Sequence, residues 1–218
     1  MSSPPGRPRP RYVRESPGLE FDRVVFFSDA VFAIAMTLLV VGIGVPDVAD
    51  KAFEQALRDK VPEITSFFIS FVVIGYYWLA HHRFVSRIVA VEQGFIMLNL
   101  VYLAAIAFTP FPTALVGRYE DYSISVIIYA LTLAAASLLE AAMFARAQQQ
   151  HLFRVELSRE VYRYGLVASL IPVLAFVVSI PLAFVSSTLA LVSWLIVWPA
   201  EHVVERTLKP PEADELLT

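Results

Sequence analysis

The stretch DRVVFFSDAVFAIAMTLLVVGIGVP, residues 22–46, decides the fold of this chain. It is long and apolar enough to cross a bilayer as one helix, because a span needs about 20 mostly apolar residues. Near its start stand Ser28 and Asp29, with Arg23 shortly before them. A charged side chain inside a span costs about 2.5–3.5 kcal/mol on insertion scales and therefore faces protein or water. The stretch thus combines a membrane span with a carboxylate that requires partners.

The rest of the chain has the same composition. Of its 218 residues, 57% are hydrophobic and 17% are charged, whereas a soluble domain carries about 25% charged residues. These values predict an all-α polytopic membrane protein with a six-helix domain at residues 21–205. The chain contains no cysteine, so neither disulfides nor thiolate metal sites are expected. Flexible tails are expected at 1–20, which is basic, and at 206–218. The six predicted spans cover residues 24–45, 62–82, 94–116, 122–145, 161–180 and 183–203.

The distribution of basic residues predicts the orientation of the spans. With six spans, both termini lie on the same side of the membrane. That side holds thirteen of the Lys and Arg residues, and the opposite side holds only Lys51, Arg58, Lys60 and Arg118. Loops rich in Lys and Arg stay in the cytoplasm, so both termini are predicted to be cytoplasmic.

The carboxylate of Asp29 needs donors from outside its own helix. Arg23 is a poor partner, because six residues correspond to about 120° around the helix axis and about 9 Å along it. Side chains at the same predicted depth in the second and third spans are better candidates. These are Trp78, His81, His82 and Asn99. We therefore expect a polar network that joins Asp29 to Asn99, the Trp78 indole and one of the histidines.

The first span also carries an apolar stripe. With Ile34 taken as zero on a helical projection, Leu38 lies at about 40° and Val41 at about −20°. Thr37 lies about 60° to one side of the stripe. Aliphatic side chains at this spacing pack against neighbouring helices, face lipid or line a pore, and periodicity alone does not distinguish these roles.

Enzymatic or metal chemistry finds little support in the sequence. It contains no plausible Ser/His/Asp set, Gly-rich phosphate loop or Glu-x-x-His pair. His81 and His82 are adjacent, which places them about 100° apart on a helix and makes a shared metal ion unfavourable. Glu140 and Glu201 lie near the cytoplasmic ends of their spans and are expected to face water or headgroups. We expect no enzymatic activity, no cofactor, no bound metal and no nucleic-acid partner.

The first span resembles a known signature. The segment RVVFFSDAVFAIAMTLLVV is similar to the first helix of the transmembrane protein 175 family of potassium channels, whose motif is Arg-x-x-x-Phe-Ser-Asp. The motif falls here on Arg23, Phe27, Ser28 and Asp29. The resemblance extends over about residues 20–205, through WLAHHRF at the end of the second span and LNLVYLAAIAFTPFPTALVG in the third.

This resemblance implies an architecture and a function. A single six-helix unit is typical of prokaryotic members, which implies a homotetramer in the plasma membrane whose first helices line a central pore. Ile34 would form the constriction, with Leu38 and Val41 as further layers, and Thr37 would contribute to ion selectivity. The Phe-Ser-Asp motif would anchor the pore helix at its cytoplasmic end.

The expected function is a leak-like, moderately potassium-selective cation channel. Protons can also permeate such a channel. Potassium, other monovalent cations, the lipid bilayer and further copies of the chain are its expected partners. The alternative is a proton-coupled secondary transporter that uses Asp29 and a nearby histidine.

Overall fold

The structure is a computed structural model that describes residues 19–213. Residues 1–18, which are most of the expected N-terminal tail, and residues 214–218, which are the end of the expected C-terminal tail, lie outside this range. In the described range the helices are α1 (Leu19–Val41), α2 (Phe53–Arg58), α3 (Val61–Val85), α4 (Gln93–Phe108), α5 (Pro110–Arg118), α6 (Ser123–Gln149), α7 (Arg159–Ala183), α8 (Ser187–Ser193) and α9 (Val197–Leu208). Helix α9 therefore extends into the expected C-terminal tail, where Pro210 and Ala213 are also buried.

Six segments of the described chain are long and apolar enough to cross a membrane, which confirms the predicted number of spans. They are Phe21–Val41, Phe53–Val85, Gln93–Arg118, Ser123–Gln149, Arg159–Ala183 and Ser187–Leu208. The protein is thus an all-helical integral membrane protein. The second segment includes the short helix α2 as well as α3.

The third span is broken where the sequence predicted one continuous helix. Helix α4 ends at Phe108 and α5 begins at Pro110, because the proline nitrogen has no hydrogen to donate. The hydroxyl of Thr109 donates to the Ala105 carbonyl at 3.2 Å, and Thr113 donates to the Thr109 carbonyl at 2.9 Å. These side-chain bonds satisfy backbone acceptors around the break. Helix α7, by contrast, remains helical through Pro172.

Helix α6 forms the centre of the bundle. Its most apolar stretch is 56% buried, against 33% or less for the other five spans. Helices α4, α5, α7 and α8 pack around it, while α1 packs on α3, α4 and α5. The outer surfaces of the peripheral helices are apolar and exposed in the single chain, so they are available for lipid or for other subunits.

A charged contact joins the start of α4 to the end of α6. The Glu92 carboxylate accepts hydrogen bonds from the backbone N–H groups of Gly94 and Phe95, each at 2.7 Å, and thereby caps α4. The Nε of Arg146 donates to the same carboxylate at 2.8 Å. This hydrogen bond, supported by the two backbone donors, lowers the pKa of Glu92 against the opposing effect of burial. The contact fixes α4, the helix that carries Asn99, against the central helix.

Candidate functional site: the first helix and its anchors

Helix α1 has one buried face and one exposed face. Ser28, Phe32, Ala35 and Leu39 are at most 3% exposed and pack towards α3, α4 and α5. Their spacing of four, three and four residues places them on one side of a helix. The buried face therefore holds α1 on the bundle and leaves its other face without a packing partner among residues 19–213.

The residues predicted to form the constriction lie on the exposed face. Ile34, Leu38 and Val41 are 57%, 46% and 72% exposed. We call these three residues the collar stripe. Thr37 is also exposed, and its hydroxyl donates to the Ile34 carbonyl at 2.8 Å. Because the hydroxyl proton is used by the backbone, the oxygen lone pairs of Thr37 remain available on the exposed face.

The amino-terminal end of α1, which we call the inner end, is held to α3 and α4 by two side-chain hydrogen bonds. The amide of Asn99 on α4 donates to Ser28 Oγ at 3.0 Å, and the Ser28 hydroxyl donates to the Val24 carbonyl at 2.9 Å. The indole Nε1 of Trp78 on α3 donates to Asp29 Oδ1 at 2.9 Å. We call Ser28, Asp29, Trp78 and Asn99 the inner anchor. It joins α1 to α3 and to α4.

The two histidines do not take part in the polar network that the sequence predicted around Asp29. Neither ring forms a hydrogen bond with Asp29 in residues 19–213. The His81 ring is 2% exposed and stacks on Tyr102 with ring centroids 5.2 Å apart, next to Phe32, and both of its nitrogens are without a hydrogen-bond partner among these residues. His82 stacks on Trp78 at 5.4 Å. Both imidazoles are therefore held by ring packing rather than by a hydrogen bond to the carboxylate.

The structure also places the other two residues of the Arg-x-x-x-Phe-Ser-Asp motif. Phe27 is 52% exposed, and Arg23 is exposed without a contact to Asp29 in the described chain. The poor Arg23–Asp29 geometry expected from helical spacing is thus what the structure has. Among residues 19–213, no group of three His, Cys, Asp or Glu side chains could hold a metal ion.

The carboxyl-terminal end of α1, which we call the outer end, has a contact that the sequence did not predict. The Nη2 of Arg118, at the end of α5, donates to the Gly42 carbonyl just beyond α1 at 2.7 Å. The Nε of Arg118 lies 3.7 Å from Glu63 Oε1 on α3, and Lys60 Nζ lies 2.8 Å from the same oxygen. No sequence signal pointed to this contact, because its acceptor is a backbone carbonyl.

Comparison with known proteins identifies the family. The family model described as "Endosomal/lysosomal potassium channel TMEM175" matches residues 23–110. A Streptomyces collinus protein named as a potassium channel is 33% identical over 178 residues, which cover 79% of this chain and 86% of the relative. The chain belongs to the TMEM175 family. The resemblance found in the first span is thereby confirmed.

Two further TMEM175 relatives extend the comparison. The crystal structure described as a lysosomal potassium-selective channel TMEM175 homologue from Chamaesiphon minutus superposes with a TM-score of 0.66 at 27% identity, covering 84% of this chain and 97% of that one. The chicken protein named as an endosomal/lysosomal proton channel TMEM175 is 33% identical over 114 residues, which are 48% of this chain and 23% of that protein. The relatives are thus named as ion channels.

A cavity of about 380 Å³ lies between helices on a different part of the bundle from the collar stripe. It is bounded by α3, α6, α7 and α9, and both Glu140 and Glu201 line it. The hydroxyl of Tyr76 donates to Glu201 Oε1 at 2.6 Å. The expectation that these two glutamates face water or headgroups therefore needs correction, since both point into a space between helices.

Proposed function

We propose that this TMEM175 chain forms a homotetrameric, potassium-permeable cation channel whose four α1 helices surround the ion path. The single observation that carries the proposal is the exposed collar stripe on a helix held at both ends by the rest of the protomer. Ile34, Leu38 and Val41 are large aliphatic side chains that no helix in the described part of the chain covers. Four copies around an axis would bury them against one another.

The proposed pathway selects ions only moderately. Apolar side chains around a narrow path gate by dewetting, and strong discrimination requires rings of carbonyls or charged side chains. The collar stripe contains neither, which supports a leak-like channel. The curated relatives named as potassium channels support potassium as the permeant ion, and the chicken relative named as a proton channel supports proton permeation as well.

The orientation and location follow from the charge distribution. Thirteen of the seventeen Lys and Arg residues lie on the side of the termini, so both termini are placed in the cytoplasm and the collar stripe spans towards the opposite face. We place the protein in the plasma membrane of a prokaryote, with no cofactor. The channel domain begins at residue 21, and it extends beyond the expected boundary at residue 205, because α9 continues to Leu208 and Ala213 is buried.

Flux measurements on purified protein in liposomes test this function. Potassium flux that needs no pH gradient supports a channel, strict dependence on an imposed pH gradient supports the transporter, and absence of flux contradicts both. Replacing Ile34→Ala should raise potassium and sodium flux by about tenfold, which corresponds to about 1.4 kcal/mol in the barrier. Val40→Ala is the matched control, because Val40 is 54% exposed on α1 but lies away from the collar stripe.

The same liposomes test the proposed selectivity residue. Thr37→Ala removes an oxygen that faces the proposed path, so the potassium-to-sodium flux ratio should change more than the total flux. A change in total flux without a change in this ratio would assign Thr37 to packing rather than to selectivity. An Ile34→Ala variant with unaltered flux would contradict the assigned constriction.

A further inference from the structure

The outer end of α1 packs on the bundle through Leu39 and receives one side-chain hydrogen bond from another helix. The last carbonyls of a helix have no partner within the helix, and they require donors from elsewhere. Helix α1 ends at Val41, and the chain turns away through Gly44, whose φ of 64° is in the left-handed region. The donor for the Gly42 carbonyl is Arg118, at 2.7 Å. A cation at this position also complements the negative end of the helix dipole.

Arg118 is itself held by a carboxylate from a third helix. Glu63 has a side chain that is only 12% exposed, and its Oε1 lies 3.7 Å from Arg118 and 2.8 Å from Lys60. Its other oxygen, Oε2, is buried without a hydrogen-bond partner among the described residues. A carboxylate with so little access to water needs nearby positive charge. Glu63 therefore orients the guanidinium that reaches Gly42.

Gly117 makes this arrangement sterically possible. A Cβ atom at residue 117 would lie 2.9 Å from the Cα of Glu63, closer than backbone atoms allow. Helices α3 and α5 can therefore approach this closely only because residue 117 has no side chain. The close approach places the next residue, Arg118, between Glu63 and the end of α1.

We propose that Gly42, Glu63, Gly117 and Arg118 form an outer clasp that positions the outer end of the pore helix, with Arg118 as the positioning residue. The role in permeation rests on the function proposed above. Val41 directly precedes Gly42, and Leu38 lies one turn earlier, so movement of this end would displace two of the three residues of the collar stripe. The inner anchor is about 20 Å away along the helix and does not restrain this end.

Four variants separate positioning from charge and from general destabilisation. Arg118→Ala removes both the donor and the charge, whereas Arg118→Gln retains an N–H donor without the charge. Gly117→Ala leaves Arg118 intact but forces α5 away from α3. Arg58→Ala is the matched control, because Arg58 is another exposed arginine on the same predicted side, with no hydrogen bond or ion pair in the described chain.

The experiment measures amide hydrogen exchange at residues 39–43 and the potassium-to-sodium flux ratio in liposomes. We expect Arg118→Ala and Gly117→Ala each to accelerate this exchange by about tenfold and to alter the flux ratio severalfold. Arg118→Gln should lie between wild type and Arg118→Ala, and Arg58→Ala should match wild type. Glu63→Gln replaces Gly117→Ala if the latter does not yield a folded oligomer.

Two outcomes overturn the clasp. One is unchanged exchange in both Arg118→Ala and the α3–α5 variant. The other is an altered flux ratio in Arg118→Ala with unchanged exchange, which would mean that the arginine acts through its charge. If wild-type protein carries no ion flux, the proposed function fails, whereas the exchange measurement still decides whether the clasp holds α1.

Discussion

The inner and outer ends of α1 are held by contacts of different character. At the inner end, side chains of α3 and α4 bond to side chains of α1, and Ser28 and Asn99 are both buried. At the outer end, the exposed side chain of Arg118 bonds to a backbone carbonyl. A buried polar pair is costly to leave half made, whereas an exposed contact competes with water. The inner end should therefore contribute more to stability, and the outer end should affect local mobility.

The largest effect is expected from breaking the inner anchor. Asp29→Ala leaves the Trp78 N–H without its acceptor and should lower the free energy of unfolding by about 1–3 kcal/mol, measured by thermal unfolding of the purified oligomer. Asp29→Asn should cost less, because the amide oxygen can still accept the indole N–H. Asp47→Ala, which removes an exposed carboxylate beyond α1, is the control. Equal stability of the Asp29→Ala and Asp47→Ala variants would contradict an anchoring role.

A smaller effect is expected at the contact between Glu92 and Arg146, which joins α4 to α6 and lies away from α1. Because Arg146 lowers the pKa of Glu92 in the folded protein, the carboxylate stabilises the fold above the ordinary carboxyl pKa, and this contribution is lost as the pH falls through the lowered value. The unfolding temperature of wild type should therefore fall on acidification below about pH 5.

Glu92→Gln should lower the unfolding temperature at pH 7 and weaken its dependence on acid pH. Glu120→Gln, at an exposed position in the loop between α5 and α6, should retain the wild-type dependence. A Glu92→Gln variant with an unchanged acid response would mean that Arg146 does not stabilise the carboxylate. If Glu92→Gln lowered the stability at pH 7 as much as Asp29→Ala does, the stability of the protein would depend as much on the α4–α6 contact as on the inner anchor.

The smallest expected quantity is the coupling between the two ends. The inner anchor and the outer clasp share no residue and are separated by about 20 Å along the helix. The losses of unfolding free energy in Asp29→Ala and Arg118→Ala should therefore add to within about 0.5 kcal/mol in the double variant. A coupling energy above about 1 kcal/mol would mean that α1 behaves as a rigid body, so that the loss of one contact alters the stability contributed by the other.

Sequence reasoning found the inner end of α1 because its residues break a pattern. A serine and an aspartate in an apolar span must have partners, and predicted depth pointed to Trp78 and Asn99, which the structure brings to Asp29 and Ser28. Depth could not separate these two from His81 and His82. Their positions depend on ring packing with Tyr102 and Trp78, which is a property of the assembled core.

Other features carried no pattern that could be read from one chain. The sequence does not distinguish a proline that ends a helix from one that lies within it. Pro110 interrupts a span, whereas Pro172 lies inside the continuous helix α7. The cavity between α3, α6, α7 and α9 depends on how four helices approach one another. The role of Gly117 depends on the close approach of the Glu63 Cα, which the sequence does not indicate.

The sequence by itself determined six membrane spans, the motif in the first of them and the polar residues that require partners. It could do so because apolar length and misplaced charge are local properties that water and lipid distinguish without reference to the fold. Only the tertiary structure decided which partner each polar group obtains, which face of α1 stays exposed and how its outer end is held. These depend on distances between helices, and the acceptor of the outer contact, the Gly42 carbonyl, is a group that every residue has.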